Sequence, residues 1–157
     1  MQTGIVAISD RHLLALEEAR RGLDQQQADL NSLRDRSGNL LQFGGLAAAF
    51  VGSLAWRDAQ AVTTWSVAAA ATFAVLAVLV IYVLWPRYFT FSNDARIMLG
   101  NEWDLTPAEI AEHLAVYLAG HADDNRRAIR RMMIAYETGM VAFLAEIAFL
   151  LIDLWGR

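Results

Sequence analysis

The residues best suited to chemistry in this sequence are arginines grouped beside an apolar stretch. Arg126, Arg127, Arg130 and Arg131 follow directly after Asn125. The planar guanidinium of arginine donates two parallel hydrogen bonds to phosphate oxygens, so the group predicts contact with lipid headgroups or with a phosphate-bearing ligand. Composition alone favours the simpler interpretation, in which these arginines set membrane topology and reach toward headgroups.

Acidic side chains inside an apolar stretch are the second chemical feature. A charged acid near the middle of a bilayer costs at least a few kcal/mol unless it is paired, protonated or in contact with water. We expect Glu137 to pair with Arg36 or to hydrogen-bond Gln42. Glu146 has two interpretations that the sequence leaves open: it lines a pore in an oligomer, or it is a protonated acid bonded between helices.

Catalytic and metal-binding patterns are missing from the sequence. There is no cysteine, and His12, His113 and His121 show neither metal-ligand spacing nor an HExxH motif. Phosphate-binding glycine loops and the GxSxG motif are also missing. We therefore expect no enzymatic activity, no metal and no cofactor. The net charge of −4 also argues against binding to nucleic acid.

Residues 65–85 form a stretch of 21 positions without a charge, within a chain that is 56% hydrophobic. As a helix this stretch is about 31 Å long, which matches the roughly 30 Å hydrocarbon core of a bilayer. Residues 40–56 are shorter but also uncharged, and Gly44, Ala48 and Gly52 recur there every four residues. That spacing predicts a seam where a neighbouring membrane helix approaches closely.

A third span is predicted over residues 132–155, where the acids lie far apart in an apolar field. The sequence thus predicts an all-α integral membrane protein with a transmembrane hairpin and a C-terminal span. Its segments are an N-terminal amphipathic cytoplasmic helix (1–38), the transmembrane hairpin (39–86), a cytoplasmic helical segment (87–131) and the third transmembrane helix (132–157).

The distribution of arginine predicts the orientation of these spans. Eight arginines flank one side of the predicted spans and two the other, and positive residues favour the cytoplasm. The amino terminus and residues 86–131 are therefore expected in the cytoplasm and the carboxyl terminus outside. Met1–Ile8 lacks the pattern of a secretory signal, so the apolar excess is expected to remain within the mature chain.

The predicted cytoplasmic segments carry helical signals. Leu16, Leu23 and Leu30 are seven residues apart, with Ala19 and Leu33 between and after them. This heptad-like stripe predicts either coiled-coil pairing with a partner or packing on the cytoplasmic part of the same chain. Further on, the residues at 106–109 predict a helix start with a capping box and a proline in the first turn. Gly120 is predicted to break that helix.

The stretch LRDRSGNLLQFGGLAA, residues 33–48, resembles the approach to the first span in the Pycsar effector transmembrane (PycTM) family. In that family an acidic residue, a lysine, small residues and a Leu-Leu-Gly-Phe-x-Gly run recur. The matching positions here are Asp35, Arg36, Ser37, Gly38, Leu40, Leu41, Phe43 and Gly45. A Pro-Arg pair after the second span (Pro86, Arg87) and an Asn followed by basic residues before the last span agree in order. Arg36 replaces the usual lysine, and Gln42 the usual glycine.

This resemblance implies a bacterial anti-phage defence effector in the inner membrane. A partner nucleotide cyclase makes cyclic CMP or cyclic UMP upon infection, and the effector responds by impairing the membrane, causing abortive infection. On this basis we expect the ligand's phosphate to meet Arg36 and the arginines at 126–131, with Asn125 in polar contact. Three helices are few to enclose an aqueous path, so a homo-oligomer is expected. The alternative is a non-conducting membrane scaffold or sensor whose cytoplasmic helices recruit a protein partner.

Overall fold

The computed structural model describes residues 3–57, 62–91 and 106–156, and within these ranges it contains three α-helices and no strand. Helix α1 is Thr3–Arg57, α2 is Thr64–Leu84 and α3 is Pro107–Trp155. The all-α prediction is confirmed. Residues 58–61 of the predicted hairpin and residues 92–105 of the predicted cytoplasmic segment, which include Arg96, lie outside the described residues.

Helices α1 and α3 are longer than the sequence predicts. Helix α1 runs for 55 residues through Gly38, and α3 runs for 49 residues through Gly120. The predicted break at Gly120 is wrong, because one glycine in a helix costs only about 1 kcal/mol relative to alanine. The predicted segment boundaries at 38 and 131 fall inside continuous helices. They mark where the chain is expected to enter the membrane, and this stays a prediction. At Ser37 the hydroxyl donates to the Leu33 carbonyl at 2.8 Å, which satisfies it within the helix.

The chain divides into two compact units. The polar unit comprises Met1–Leu30 and Arg87–Ile129, and the apolar unit comprises Asn31–Pro86 and Arg130–Arg157. In the polar unit the first part of α1 packs against the first part of α3. The buried core of this unit consists of Leu16, Leu23, Ala111, Leu114 and Leu118.

The heptad-like stripe of α1 is buried within the chain itself. Leu16, Leu23, Leu30 and Leu33 are all buried, and the first two contact α3 side chains in the core of the polar unit. Of the two interpretations of the stripe, packing on the same chain is therefore the one that the structure supports. These leucines are not free to pair with another protein.

Three polar contacts add to the apolar core of the polar unit. The Gln26 amide donates to the Ala122 carbonyl at 3.0 Å, and the His12 ring lies 3.6 Å from the Glu112 carboxylate. At the start of α3 the predicted capping box is confirmed: the Thr106 backbone N–H donates to the Glu109 carboxylate at 2.8 Å. That hydrogen bond is the main reason why the pKa of Glu109 lies below its usual value.

In the apolar unit, parts of all three helices lie side by side. Leu76 of α2 is fully buried. It lies between two glycines: its methyl carbons are 2.8 Å from the position of a Cβ at Gly44 of α1 and 3.4 Å from that at Gly139 of α3. The missing side chains of Gly44 and Gly139 make room for Leu76, as in close-packed membrane helices.

Two of the described helices, α2 and α3, are long and apolar enough to cross a membrane. Only 22% of the apolar stretch of α2 and 17% of that of α3 are buried within the protein. The core helix of a soluble protein is instead mostly buried, and large exposed apolar surfaces mark interfaces with lipid or protein. Both helices are therefore compatible with a membrane protein. That 40–56, which lies within α1, forms a further span stays a prediction.

Candidate functional site

The predicted arginine group lies on one continuous stretch of α3, and all four of its side chains are exposed. Arg126 makes an ion pair with Asp123 at 3.9 Å. Within the described part of the chain, Arg127, Arg130 and Arg131 make no ion pair. Positions 127 and 131 are four residues apart, so they are neighbours on one face of the helix. Their guanidinium groups are open to an anion from outside the protein.

The other predicted ligand-binding residues have different surroundings. Arg36 is exposed on α1 in the apolar unit. Asn125 is buried in the polar unit, and its Nδ2 atom donates to the Thr90 carbonyl at 3.0 Å. One hydrogen of the Asn125 amide thus already holds the segment after α2 to α3. A role for Asn125 in contacting a nucleotide stays a prediction.

Among the described acidic residues of the apolar unit, Glu146 is the most buried. Its side chain is 1% exposed, and its Oε2 atom lies 3.2 Å from the position of a Cβ at Gly44. The same glycine faces Leu76 of α2 and, at 3.6 Å, the ring of Phe143. Neither oxygen of Glu146 has a hydrogen-bond partner among the described residues. Apolar groups thus form the contacts that the structure gives around this carboxyl.

These contacts bear on both interpretations of Glu146. The side chain is buried inside one chain and does not line an open surface, and the expected hydrogen bond between helices is not made in the described structure. Glu137 and Gln42 are both exposed. In the described ranges, Glu137 neither hydrogen-bonds Gln42 nor pairs with Arg36. The expected partners of Glu137 therefore have no support in the structure.

The predicted seam of small residues is shorter than its spacing suggests. Gly44 is buried in close contact with the other two helices, and Ala48 is half-buried. Gly52 is exposed, and a Cβ there would meet nothing within 4 Å in the described part of the chain. Sequence reasoning missed Gly139, which lies seven residues before Glu146. A search for heptad spacing along α3 would have found it, since Met132, Gly139, Glu146 and Asp153 are all buried at that interval.

A second missed contact joins the first turn of α2 to the end of α3. The Thr63 hydroxyl donates to the carboxylate of Asp153, and it also accepts from the Ser66 backbone N–H at 3.0 Å as the N-cap of α2. Nearby, the rings of Trp65 and Phe149 are 5.9 Å apart. A carboxylate at a helix N-terminus is favoured by the helix dipole. The sequence signal was present in Thr63 and Ser66, which fit a capping box.

No family model, curated protein or solved structure matches this chain. Within the described ranges, no group of three or more His, Asp or Glu side chains is placed to hold a metal ion. The site with the clearest chemistry for a ligand is therefore the exposed arginine group of α3. The most buried acid of the described residues is Glu146.

Proposed function

We propose that this protein is a bacterial inner-membrane effector of anti-phage defence that binds a cyclic pyrimidine mononucleotide and then impairs the membrane. The ligand is cyclic CMP or cyclic UMP made by a separate nucleotide cyclase, and the active form is a homo-oligomer. The amino terminus faces the cytoplasm and the carboxyl terminus lies outside. The resemblance of residues 33–48 and of the segments that follow to the Pycsar effector transmembrane proteins supplies the ligand class and the biological role.

The observation that carries this proposal is the exposure of Arg127, Arg130 and Arg131 without an ion pair in the described part of the chain. Unpaired guanidinium groups are suited to bind a phosphate because they donate two hydrogen bonds each without first breaking a salt bridge. They stand directly before the apolar stretch of α3. A ligand bound there contacts α3, the same helix that carries Glu146.

The apolar surfaces of α2 and α3 support the membrane part of the proposal. Most of their apolar stretches face away from the protein, which suits contact with lipid or with further copies of the chain. Three helices are few to enclose an aqueous path, so a pore requires self-association. A nucleotide that binds one packing of the oligomer more tightly than another shifts the population toward that packing.

Binding is tested by thermal unfolding of the full-length protein in detergent with cyclic CMP, UMP, AMP and GMP. A ligand at about 100 times its Kd stabilises the folded state by about 2.7 kcal/mol, which raises Tm measurably. We expect a rise with one cyclic pyrimidine, and its loss in the Arg127→Ala/Arg131→Ala double variant. Arg21→Ala is the matched control, because Arg21 is exposed but lies within 4.0 Å of Glu17 and Glu18. No rise with any of the four nucleotides would refute the nucleotide-binding part.

Membrane damage is tested with dye-filled vesicles that contain the purified protein. We expect dye release only after addition of the nucleotide that raises Tm, and a steep dependence on protein concentration because the active form is an oligomer. Binding without dye release would refute the permeabilising role and favour the scaffold described next.

The second candidate function is a non-conducting scaffold that recruits a protein partner. It is favoured by apolar side chains exposed on the polar unit: Leu13 and Leu14 of α1 are 54% and 64% exposed, and Val116 of α3 is 68% exposed. Since the heptad leucines are already buried in the chain, a partner would have to contact these other positions. Harmless accumulation of the protein in cells that also contain the nucleotide would support the scaffold.

A further inference from the structure

Glu146 combines near-complete burial with an absence of hydrogen-bond partners in the described structure. Its side chain is 1% exposed, and both carboxyl oxygens are buried without a donor. The Oε2 atom lies beside Gly44, in space that any larger residue at position 44 would take up. Leu76 and Phe143 border the same glycine. Residues of all three helices therefore meet around the glycine that borders this acid.

Among the described residues, no charged group of the three helices compensates the carboxyl of Glu146. Helix α2 contains no charged residue, and its titratable side chain is Tyr82. On α1 the nearest charge before Gly44 is Arg36, eight residues away, and on α3 the nearest acids are Glu137 and Asp153, nine residues before and seven after. None of these side chains hydrogen-bonds or ion-pairs with Glu146 in the described ranges. If the carboxyl were ionised at this position, no opposite charge or hydrogen bond would offset the free energy lost by removing it from water.

We propose that Glu146 is a proton-binding site, and that the packed arrangement of the three helices contains it as a neutral carboxylic acid. Moving a carboxylate from water into an apolar interior is strongly unfavourable, even after the surrounding protein relaxes. A bound proton removes the charge and adds no volume, so it fits the space beside Gly44. Loss of the proton creates a negative charge that the packed helices do not solvate. The packing must therefore loosen so that water can reach the carboxylate.

A metal cation is a poorer ligand for Glu146 than a proton. Hard cations require several oxygen ligands, whereas the described residues place only the two oxygens of the Glu146 side chain here. The backbone carbonyls of α1 and α3 near this point are engaged in helix hydrogen bonds. The site therefore favours a proton, which needs only one oxygen atom.

Infrared spectroscopy of the ligand-free full-length protein in lipid at pH 7 tests this assignment. We expect a carbonyl-stretch band of a protonated carboxylic acid in the parent, its loss in Glu146→Gln, and its retention in Glu137→Gln. Glu137 is the matched control because it is an exposed glutamate on the same helix. Retention of the acid band in Glu146→Gln, or loss of only a carboxylate band, would overturn the proposal.

A second measurement uses no variant, so its result does not depend on whether Glu146→Gln folds. In parent protein grown with glutamate labelled with ¹³C at the side-chain carboxyl, the acid band should shift by its isotope effect, whereas labelled aspartate should leave it in place. An acid band that does not respond to labelled glutamate would overturn the assignment. The assignment of Glu146 as a proton-binding site does not depend on the proposed function. Both measurements use protein without nucleotide, and neither measures dye release from vesicles.

Discussion

The carboxyl of Glu146 occupies space that Gly44 leaves open: its Oε2 atom is 3.2 Å from where a Cβ on Gly44 would lie. The two residues are 102 positions apart in sequence, and they meet because α1 and α3 both pack against Leu76 of α2. A small residue on one helix thus determines whether a buried acid on another can be accommodated. The packing of the apolar unit therefore determines the surroundings of Glu146, the most buried acid of the described residues.

Gly44→Val should destabilise the protein much more than Gly52→Val. A Cβ at Gly44 already comes within 2.8 Å of Leu76 Cδ2, so a branched side chain displaces both Leu76 and the Glu146 carboxyl. Overpacking of this kind costs about 1–3 kcal/mol. Gly52 lies on the same helix with no neighbour within 4 Å in the described residues. Thermal unfolding in detergent measures the difference, and equal Tm values for the two variants would contradict the close contact at Gly44.

Thr63→Ala should lower Tm, because the Thr63 hydroxyl caps α2 and donates to Asp153. Replacement of a threonine N-cap costs about 0.5–2 kcal/mol. Thr64→Ala is the control: Thr64 is the next residue, it is exposed, and its side chain makes no hydrogen bond in the described structure.

The contact between Thr63 and Asp153 is measured separately by a double-mutant cycle. Residues in direct contact show non-additive effects, so Thr63→Ala with Asp153→Ala should cost less than the sum of the single changes. Strict additivity would show that the two side chains act independently.

Leu23→Ala should destabilise the polar unit by about 2–5 kcal/mol, the usual range for a leucine truncated in a well-packed core. Leu23 is fully buried against α3. Leu14→Ala, on the same helix but 64% exposed, should leave the stability nearly unchanged. Denaturant unfolding followed by circular dichroism compares the two variants, and a similar loss in both would place the core elsewhere.

The sequence predicted those features that depend on local chemistry or on a simple period. The heptad leucines of α1, the apolar stretch of α2 and the capping box at Thr106 each follow from residues close together in the chain. The predicted helix break at Gly120 is wrong for a physical reason. A glycine lowers local helix propensity by a small amount, and the burial of residues on both sides outweighs it.

The candidate site could be predicted only in part. The arginines at 126–131 could be predicted because residue type and spacing alone indicate an anion-binding group. Exposed side chains of this kind can be recognised without knowing which helices pack together. The surroundings of Glu146 could not be predicted, because they depend on which residues of α1 and α2 lie opposite it. Asn125 shows the same limit: its amide suggested a ligand contact, whereas in the structure it donates to Thr90.

The stability of the polar unit should depend on pH through Glu109. The Thr106 backbone N–H, followed by its hydroxyl, donates to the Glu109 carboxylate and lowers the pKa of Glu109 from 4.5. A carboxyl whose pKa is lower in the folded than in the unfolded state stabilises the fold above the unfolded value of 4.5, and this contribution is lost as the pH falls through the lower, folded pKa. The parent should therefore exceed Glu109→Gln in Tm at pH 7, and the two should converge in acid. Asp124→Asn, at an exposed acid without an ion pair in the described residues, is the control that should show no such convergence. A Tm difference between parent and Glu109→Gln that persists unchanged below the folded pKa would show that the ionised capping bond is not its source.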